Sequence, residues 1–154
     1  VVIGVGNRSR GDDAVGVIAA ERLTRRCPGI EVVVHAGDVL GLCDVWIGAD
    51  SAIVVDAMAS AEAPGTIRRY DVDRSPLPQQ ALRGSTHAFG VNEAVRLARA
   101  VGALPRRLVV YGIVGSCFEV GRELSPAVER AADLVVARIE AEVGWIPAAG
   151  DGDA

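Results

Sequence analysis

Residues 1–13 read VVIGVGNRSRGDD: an apolar run, a glycine-rich turn through Gly4, Gly6 and Asn7, an arginine-rich stretch, then the acidic pair Asp12 and Asp13. The first five residues have the unbroken apolar character of a strand buried on both faces, and Asp13 opens a helical pattern. Carboxylates thus stand where a buried strand should end. Two more groups can join them. Asp56 closes the apolar run Ile53-Val54-Val55, and His87 follows Ser85-Thr86 just ahead of another helical pattern. Two carboxylates and an imidazole then share one edge of a sheet.

The alternation continues along the chain. Residues 12–26 carry Val15, Ile18, Ala19 and Leu23 at helical spacing and stop at the breaker pair Pro28-Gly29. Residues 30–34 read as a second strand, 40–47 as a short helix and 52–55 as a third strand. Pro64-Gly65 turns the chain into residues 66–72, where Ile67, Arg68, Arg69 and Tyr70 predict an edge or antiparallel strand. Residues 75–84, with two prolines and two glutamines, read as an exposed loop. Helical spacing returns at Val91, Ala94, Val95, Ala98 and Val101, and 107–114 is a strongly apolar strand. Ser125-Pro126 starts the last helix, a hydroxyl cap followed by proline at the first helical position. Val128, Ala132, Val135, Val136, Ile139 and Val143 line one of its faces.

Near-continuous apolar strands separated by amphipathic helices imply an α/β fold with a mostly parallel sheet covered on both faces. In such sheets ligands bind beyond the carboxyl ends of the strands. We read residues 1–146 as one domain and 147–154, rich in Ala, Gly and Asp, as a disordered tail. The chain opens inside a strand, so Val1 is not read as a natural terminus.

Half of the 154 residues are hydrophobic, but only 4% are aromatic, a balance that suits a soluble α/β protein. No apolar segment approaches the ~20 residues that span a bilayer, and no signal-peptide pattern is present, so a cytoplasmic protein is expected. With no long exposed apolar stripe in the sequence, a monomer is the default. Cys27, Cys43 and Cys117 are odd in number and widely spaced, which argues for buried free thiols over a disulfide framework or zinc module. A net charge of −4 gives no general attraction to nucleic acid. The pairs Arg25/Arg26, Arg68/Arg69 and Arg106/Arg107 read as solvated faces, with Arg68/Arg69 and the loop 75–84 also placed to shape partner choice. Arg8 and Arg10 flank the proposed site and can meet an acidic group on a substrate.

Each candidate has a structural alternative. Gly4-x-Gly6 after a strand resembles the start of a dinucleotide fingerprint, but Ser9 stands where the third glycine belongs. Asp12 and Asp13 would also repel phosphate from the helix N-terminus. The acidic pair can serve as a cap and a dipole partner, worth ~1 kcal/mol or less each, and Asp12 is the one assigned to that role. Asp56 alone reads as a turn residue, His87 alone as a cap, and His35 as a structurally satisfied strand end. Together, Asp13, Asp56 and His87 offer two oxygens and a nitrogen, a set suited to a first-row divalent ion with open coordination positions. No His-Glu-x-x-His helix or serine elbow competes.

The strings GVGNRSRGDDAVG, VVVHAGDVLGL, IVVDAMAS, STHAFGVNEAVRLARAVGALPRRLVVYGIVG and ELSPAVERA resemble, in order and spacing, the maturation endopeptidases of nickel-iron hydrogenases. The resemblance runs from Val1 to about Ile139. It implies a three-layer αβα sandwich with a twisted central sheet, and a catalytic and metal-recognising set at Asp13, Asp56 and His87. It also implies an activity: removal of a C-terminal extension from the hydrogenase large-subunit precursor after nickel insertion. The nickel would be supplied by the bound precursor, with other divalent ions able to substitute. Whether that metal polarises the scissile carbonyl or only positions the tail stays open. Gly37-Asp38 and Val114-Gly115-Ser116 depart from the family pattern, and aspartate at position 13 replaces the glutamate of some relatives. A non-catalytic assembly chaperone of the same fold is the main rival, and a nucleotide-binding domain is a third reading.

Overall fold

The structure, a computed structural model, describes residues 1–78 and 88–144, the side chains of residues 88 and 89 excepted. Its elements run β1 (Val2–Val5), a 3-10 turn (Gly11–Ala14), α1 (Val15–Arg26), β2 (Val32–His35), α2 (Val39–Trp46), β3 (Ser51–Met58), β4 (Ile67–Asp71), α3 (Ala88–Ala100), β5 (Arg107–Val114) and α4 (Pro126–Gly144). The strands form one sheet in the order β2-β1-β3-β5-β4. All neighbours are parallel except β4, which runs antiparallel to β5 at the edge. The expected edge strand is therefore β4.

Alternation along the strands feeds two separate cores. Ile3, Val5, Val54, Leu108 and Val110 pack with α2 and α3 through Leu42, Trp46, Val91 and Ala94. Val2, Ile53, Val55, Val109 and Tyr111 pack on the other face with α1 and α4 through Val15, Leu23, Val135 and Ile139. This is the expected three-layer αβα sandwich. Fully burying each of these Val, Leu or Ile side chains contributes about 1.5–3 kcal/mol against leaving it in water. Among the described residues no helix is long and apolar enough to cross a membrane.

Several local expectations shift. The first turn after Arg10 is 3-10, not the start of α1, so Asp12 and Asp13 precede the α-helix. Asp56 does not close its strand: β3 continues to Met58 because β5 pairs with it as far as Val114, whereas β1 leaves it at Val55. Val101 follows the end of α3 and is exposed. The three cysteines are free but half-buried. The stretch 79–84 of the expected loop, and the tail from 147, lie outside the described residues.

The arginine pairs are largely matched by acids. Arg68 pairs with Glu62, Arg26 with Glu140 and Arg106 with Asp50. Arg69 and Arg107 converge on Glu142 of α4, Arg69 through two hydrogen bonds of 2.8 and 3.1 Å. The hydroxyl of buried Tyr111 donates to the same carboxylate. Burial and that carboxylate push the tyrosine hydroxyl up to about 12. This cluster ties the antiparallel edge of the sheet to the far end of α4.

Candidate functional site

Two glycines bring the acidic segment onto the sheet. Gly4 of β1 lies against α1, where a Cβ would stand 2.1 Å from the Gly16 carbonyl oxygen. Gly16 in turn abuts the end of β1 and the body of β3: a Cβ there would be 2.2 Å from the Val5 oxygen and 2.4 Å from the Val55 oxygen. Helix and strands can approach this closely only without side chains between them. The 3-10 turn just before α1 is thereby seated over the carboxyl ends of β1 and β3.

The Gly-x-Gly-Asn turn serves Asp13. Gly6 has φ of +145, and a Cβ there would meet the Asp13 carbonyl oxygen at 1.9 Å. The Asn7 N–H donates to both the carbonyl (3.2 Å) and Oδ2 (3.1 Å) of Asp13. The Asn7 side chain accepts from the Ser9 N–H at 2.9 Å, which shapes the turn. No dinucleotide-type cradle forms here, because this turn is closed around the carboxylate of Asp13.

Asp56 completes the pair. It lies on the same face of β3 as Val54 and Met58, towards the α2/α3 layer, and is fully buried, as is Asp13. Neither carboxylate oxygen of Asp56 finds a hydrogen bond of good geometry. Burial first, then the charge of Asp13, raise its proton affinity well above the ordinary aspartate value, and the nearby Ala57 N–H pulls only weakly the other way. A buried carboxylate without donors is costly as an anion, and a bound cation is one means of offsetting that cost. Two closely placed carboxylates, one with bare oxygens, fit a divalent ion by the chemistry of their donors.

His87 lies outside the described residues. It immediately precedes α3 in the sequence, and α3 is anchored at the same end of the sheet. Its Gly90 touches the loop after β2 so closely that a Cβ would be 1.6 Å from the Gly37 oxygen. That loop is joined to β1 by a hydrogen bond from the Gly6 N–H to the His35 carbonyl, at 3.1 Å. His35 itself is satisfied locally: its Nδ1 accepts from Gly37 N–H at 2.9 Å, and its Nε2 faces Asp38 Oδ2 at 3.6 Å. Asp38 also caps α2 by accepting from the Gly41 N–H at 2.8 Å. Arg8 is engaged by Glu21 of α1.

Asp12 departs from its expected role. The turn has no side-chain cap, and Asp12 instead reaches across the fold to residues 116–125. Burial raises its proton affinity, but hydrogen bonds from Ser116, Ser125 and Cys117 outweigh that and hold it below the usual aspartate value. Gly16 and Gly90 also escaped the sequence reading. Their signal, a glycine inside a helical pattern, is common to many helices and does not announce which backbone it will touch.

The family model described as hydrogenase maturation protease matches residues 19–142. The hydrogenase expression/formation protein HoxM of Azotobacter vinelandii is 32% identical, over 100% of this chain and 78% of that protein. The hydrogenase 2 maturation protease of Escherichia coli K12 is 29% identical, over 84% of this chain and 80% of that protein. The solved structure of the hydrogenase maturating endopeptidase HybD from E. coli superposes with a TM-score of 0.79 at 26% identity, covering 93% of this chain and 90% of that one. Matched by the family model over most of its length, the chain belongs to the hydrogenase maturation protease family, and by that membership it is a peptidase, a hydrolase.

Proposed function

We propose that the protein removes the C-terminal extension of a nickel-iron hydrogenase large-subunit precursor, and that Asp13, Asp56 and His87 recognise nickel already held by the precursor. The observation that carries this reading is Asp56, a fully buried carboxylate with no hydrogen bond of good geometry to either oxygen and the charge of Asp13 beside it. Such an arrangement disfavours the fold by itself and is suited to a cation that arrives with the substrate. His87 enters through its place in the sequence directly before α3, whose first turn is anchored near the same strand ends.

A ligand set of two carboxylates and one imidazole leaves coordination positions for the precursor's own ligands, so the metal stays with the precursor. Recognition then brings the scissile bond into register only when nickel is present. Before the precursor binds, burial and then the charge of Asp13 favour the protonated form of Asp56 over what an ordinary aspartate would show. To act as a nickel ligand, Asp56 would have to be ionised, giving its proton up to water as the precursor's metal is held. Either carboxylate is then placed to assist proton transfer to and from a water attacking the scissile carbonyl.

The test uses Ala variants at Asp13, Asp56 and His87 with nickel-loaded precursor. Each is expected to stay folded and to lose cleavage. Full cleavage by any one of them removes that residue from the set. A wild-type protein that binds the precursor without cutting it supports the assembly-chaperone alternative instead.

A further inference from the structure

Asp12 is fully buried but stands outside the proposed nickel set. Its carboxylate accepts five hydrogen bonds: from the N–H groups of Ser125 (2.7 Å), Ser116 (2.8 Å) and Cys117 (3.1 Å), and from the hydroxyls of Ser125 (3.0 Å) and Ser116 (3.2 Å). All five donors lie in the segment that joins β5 to α4, more than a hundred residues away in the chain. Backbone contacts reinforce the tie. Asp12 N–H donates to the Cys117 carbonyl at 2.8 Å, Gly11 N–H to Arg122 at 3.0 Å, and Gly121 N–H to Ser9 at 2.8 Å.

Gly115 makes room for this arrangement. A Cβ there would stand 2.9 Å from the Asp12 Cβ and 2.6 Å from the Phe118 ring. The Gly115 N–H also donates to the carbonyl of Met58 at 2.9 Å, and Met58 ends the strand that carries Asp56. Gly115-Ser116 thus supplies the space and two of the donors. A continuous path therefore joins the two active carboxylates, from Asp13 through Asp12, Ser116, Gly115 and Met58 to Asp56.

We infer that Asp12 is a positioning residue: held by Ser116, Cys117 and Ser125, it fixes the 3-10 turn so that Asp13 stays in register with Asp56 for cleavage. This rests on the endopeptidase reading above. A helix cap needs one or two hydrogen bonds from its own turn. Five bonds from a distant segment instead fix two parts of the fold relative to each other. Asp13 is one peptide unit away, about 3.8 Å between Cα atoms, so little slack separates the clamp from the working carboxylate. The Asn7 N–H holds Asp13 from the β1 side, and Asp12 holds its backbone from the β5 side.

Single-turnover cleavage of nickel-loaded precursor, precursor affinity and thermal melting would be measured for wild type, Asp12→Asn, and the double variant Ser116→Ala/Ser125→Ala. The double variant keeps the three backbone donors and so protects the fold. Asp12→Asn is expected to lose about 10–100-fold in the cleavage rate constant, the scale of a small misplacement, with affinity within about twofold of wild type. The double variant is expected to fall between the two. Wild-type rate constants in both variants, whatever happens to their melting temperatures, would show Asp12 to be purely structural. Weaker affinity with an unchanged rate constant would also overturn the inference. If Asp12→Asn does not fold, the double variant decides: a reduced rate constant supports the clamp and a wild-type one overturns it. A wild-type protein that cuts nothing defeats the endopeptidase reading itself, and this inference with it.

Discussion

The charge of Asp13 acts on Asp56: second only to burial, it pushes the Asp56 carboxyl well above the ordinary aspartate value. Both side chains are fully buried where β1 and β3 part, and the oxygens of Asp56 meet no good donor. Stability and function therefore pull in opposite directions at this position.

Asp56→Asn should raise the stability of the metal-free protein, by an amount that depends on pH. Because the native value is raised above the unfolded 3.8, the native state binds more protons between those two values, and wild-type stability falls as pH rises through that window. Asparagine does not titrate. The melting-temperature advantage of the variant should thus be small near pH ~4 and grow as pH rises towards the native value. A difference that does not change with pH would show that Asp56 is not held protonated.

Asp12→Asn should have the opposite sign. The native value of Asp12 is lowered, so its contribution is present above 3.8 and is lost as pH falls through the native value. Removing the charge from this buried carboxylate and weakening its hydrogen bonds should cost about 1.5–3 kcal/mol near neutral pH, read from denaturant unfolding. Stability equal to wild type would mean that the five bonds to residues 116–125 are not made in solution.

Gly16→Ala tests how the helix is seated. The added methyl would fall 2.2 Å from the Val5 oxygen and 2.4 Å from the Val55 oxygen, and neither backbone can yield cheaply. A loss of about 1–3 kcal/mol or more is expected, together with slower cleavage as the 3-10 turn lifts from the strand ends. Unchanged stability and rate would contradict the close approach of α1 to β1 and β3.

Glu142→Gln separates the far end of the sheet from the chemistry. It removes the negative charge and one of the two acceptor oxygens that Arg69, Arg107 and the Tyr111 hydroxyl share, so a loss of about 1–2 kcal/mol in unfolding free energy is expected. Precursor cleavage at a temperature well below melting should not change. A large fall in cleavage without loss of stability would connect this cluster to the site.

Much of this architecture was legible because periodicity and strand-end position are local signals. The apolar run at 107–114 matches β5, and the 3.6-residue spacing of Val91, Ala94, Val95 and Ala98 gives the buried face of α3. Asp13 and Asp56 could be paired from sequence because parallel strands bring their carboxyl ends together. What escaped depends on distant partners. Asp12 looked like a cap because its five donors lie more than a hundred residues away. Asp56 looked like the end of its strand because the pairing of Met58 with Val114 is a property of the sheet. Ser125 read as a helix cap, yet its hydroxyl donates to Asp12, a contact set by the fold around it.

The most direct test of metal-gated processing is to incubate the wild-type protein with nickel-loaded and nickel-free large-subunit precursor and follow the C-terminal mass by mass spectrometry. Loss of the tail from the nickel-loaded form alone is the expected result. Equal cleavage of both forms, or of neither, would contradict a site in which Asp13, Asp56 and His87 read the metal before the peptide bond is cut.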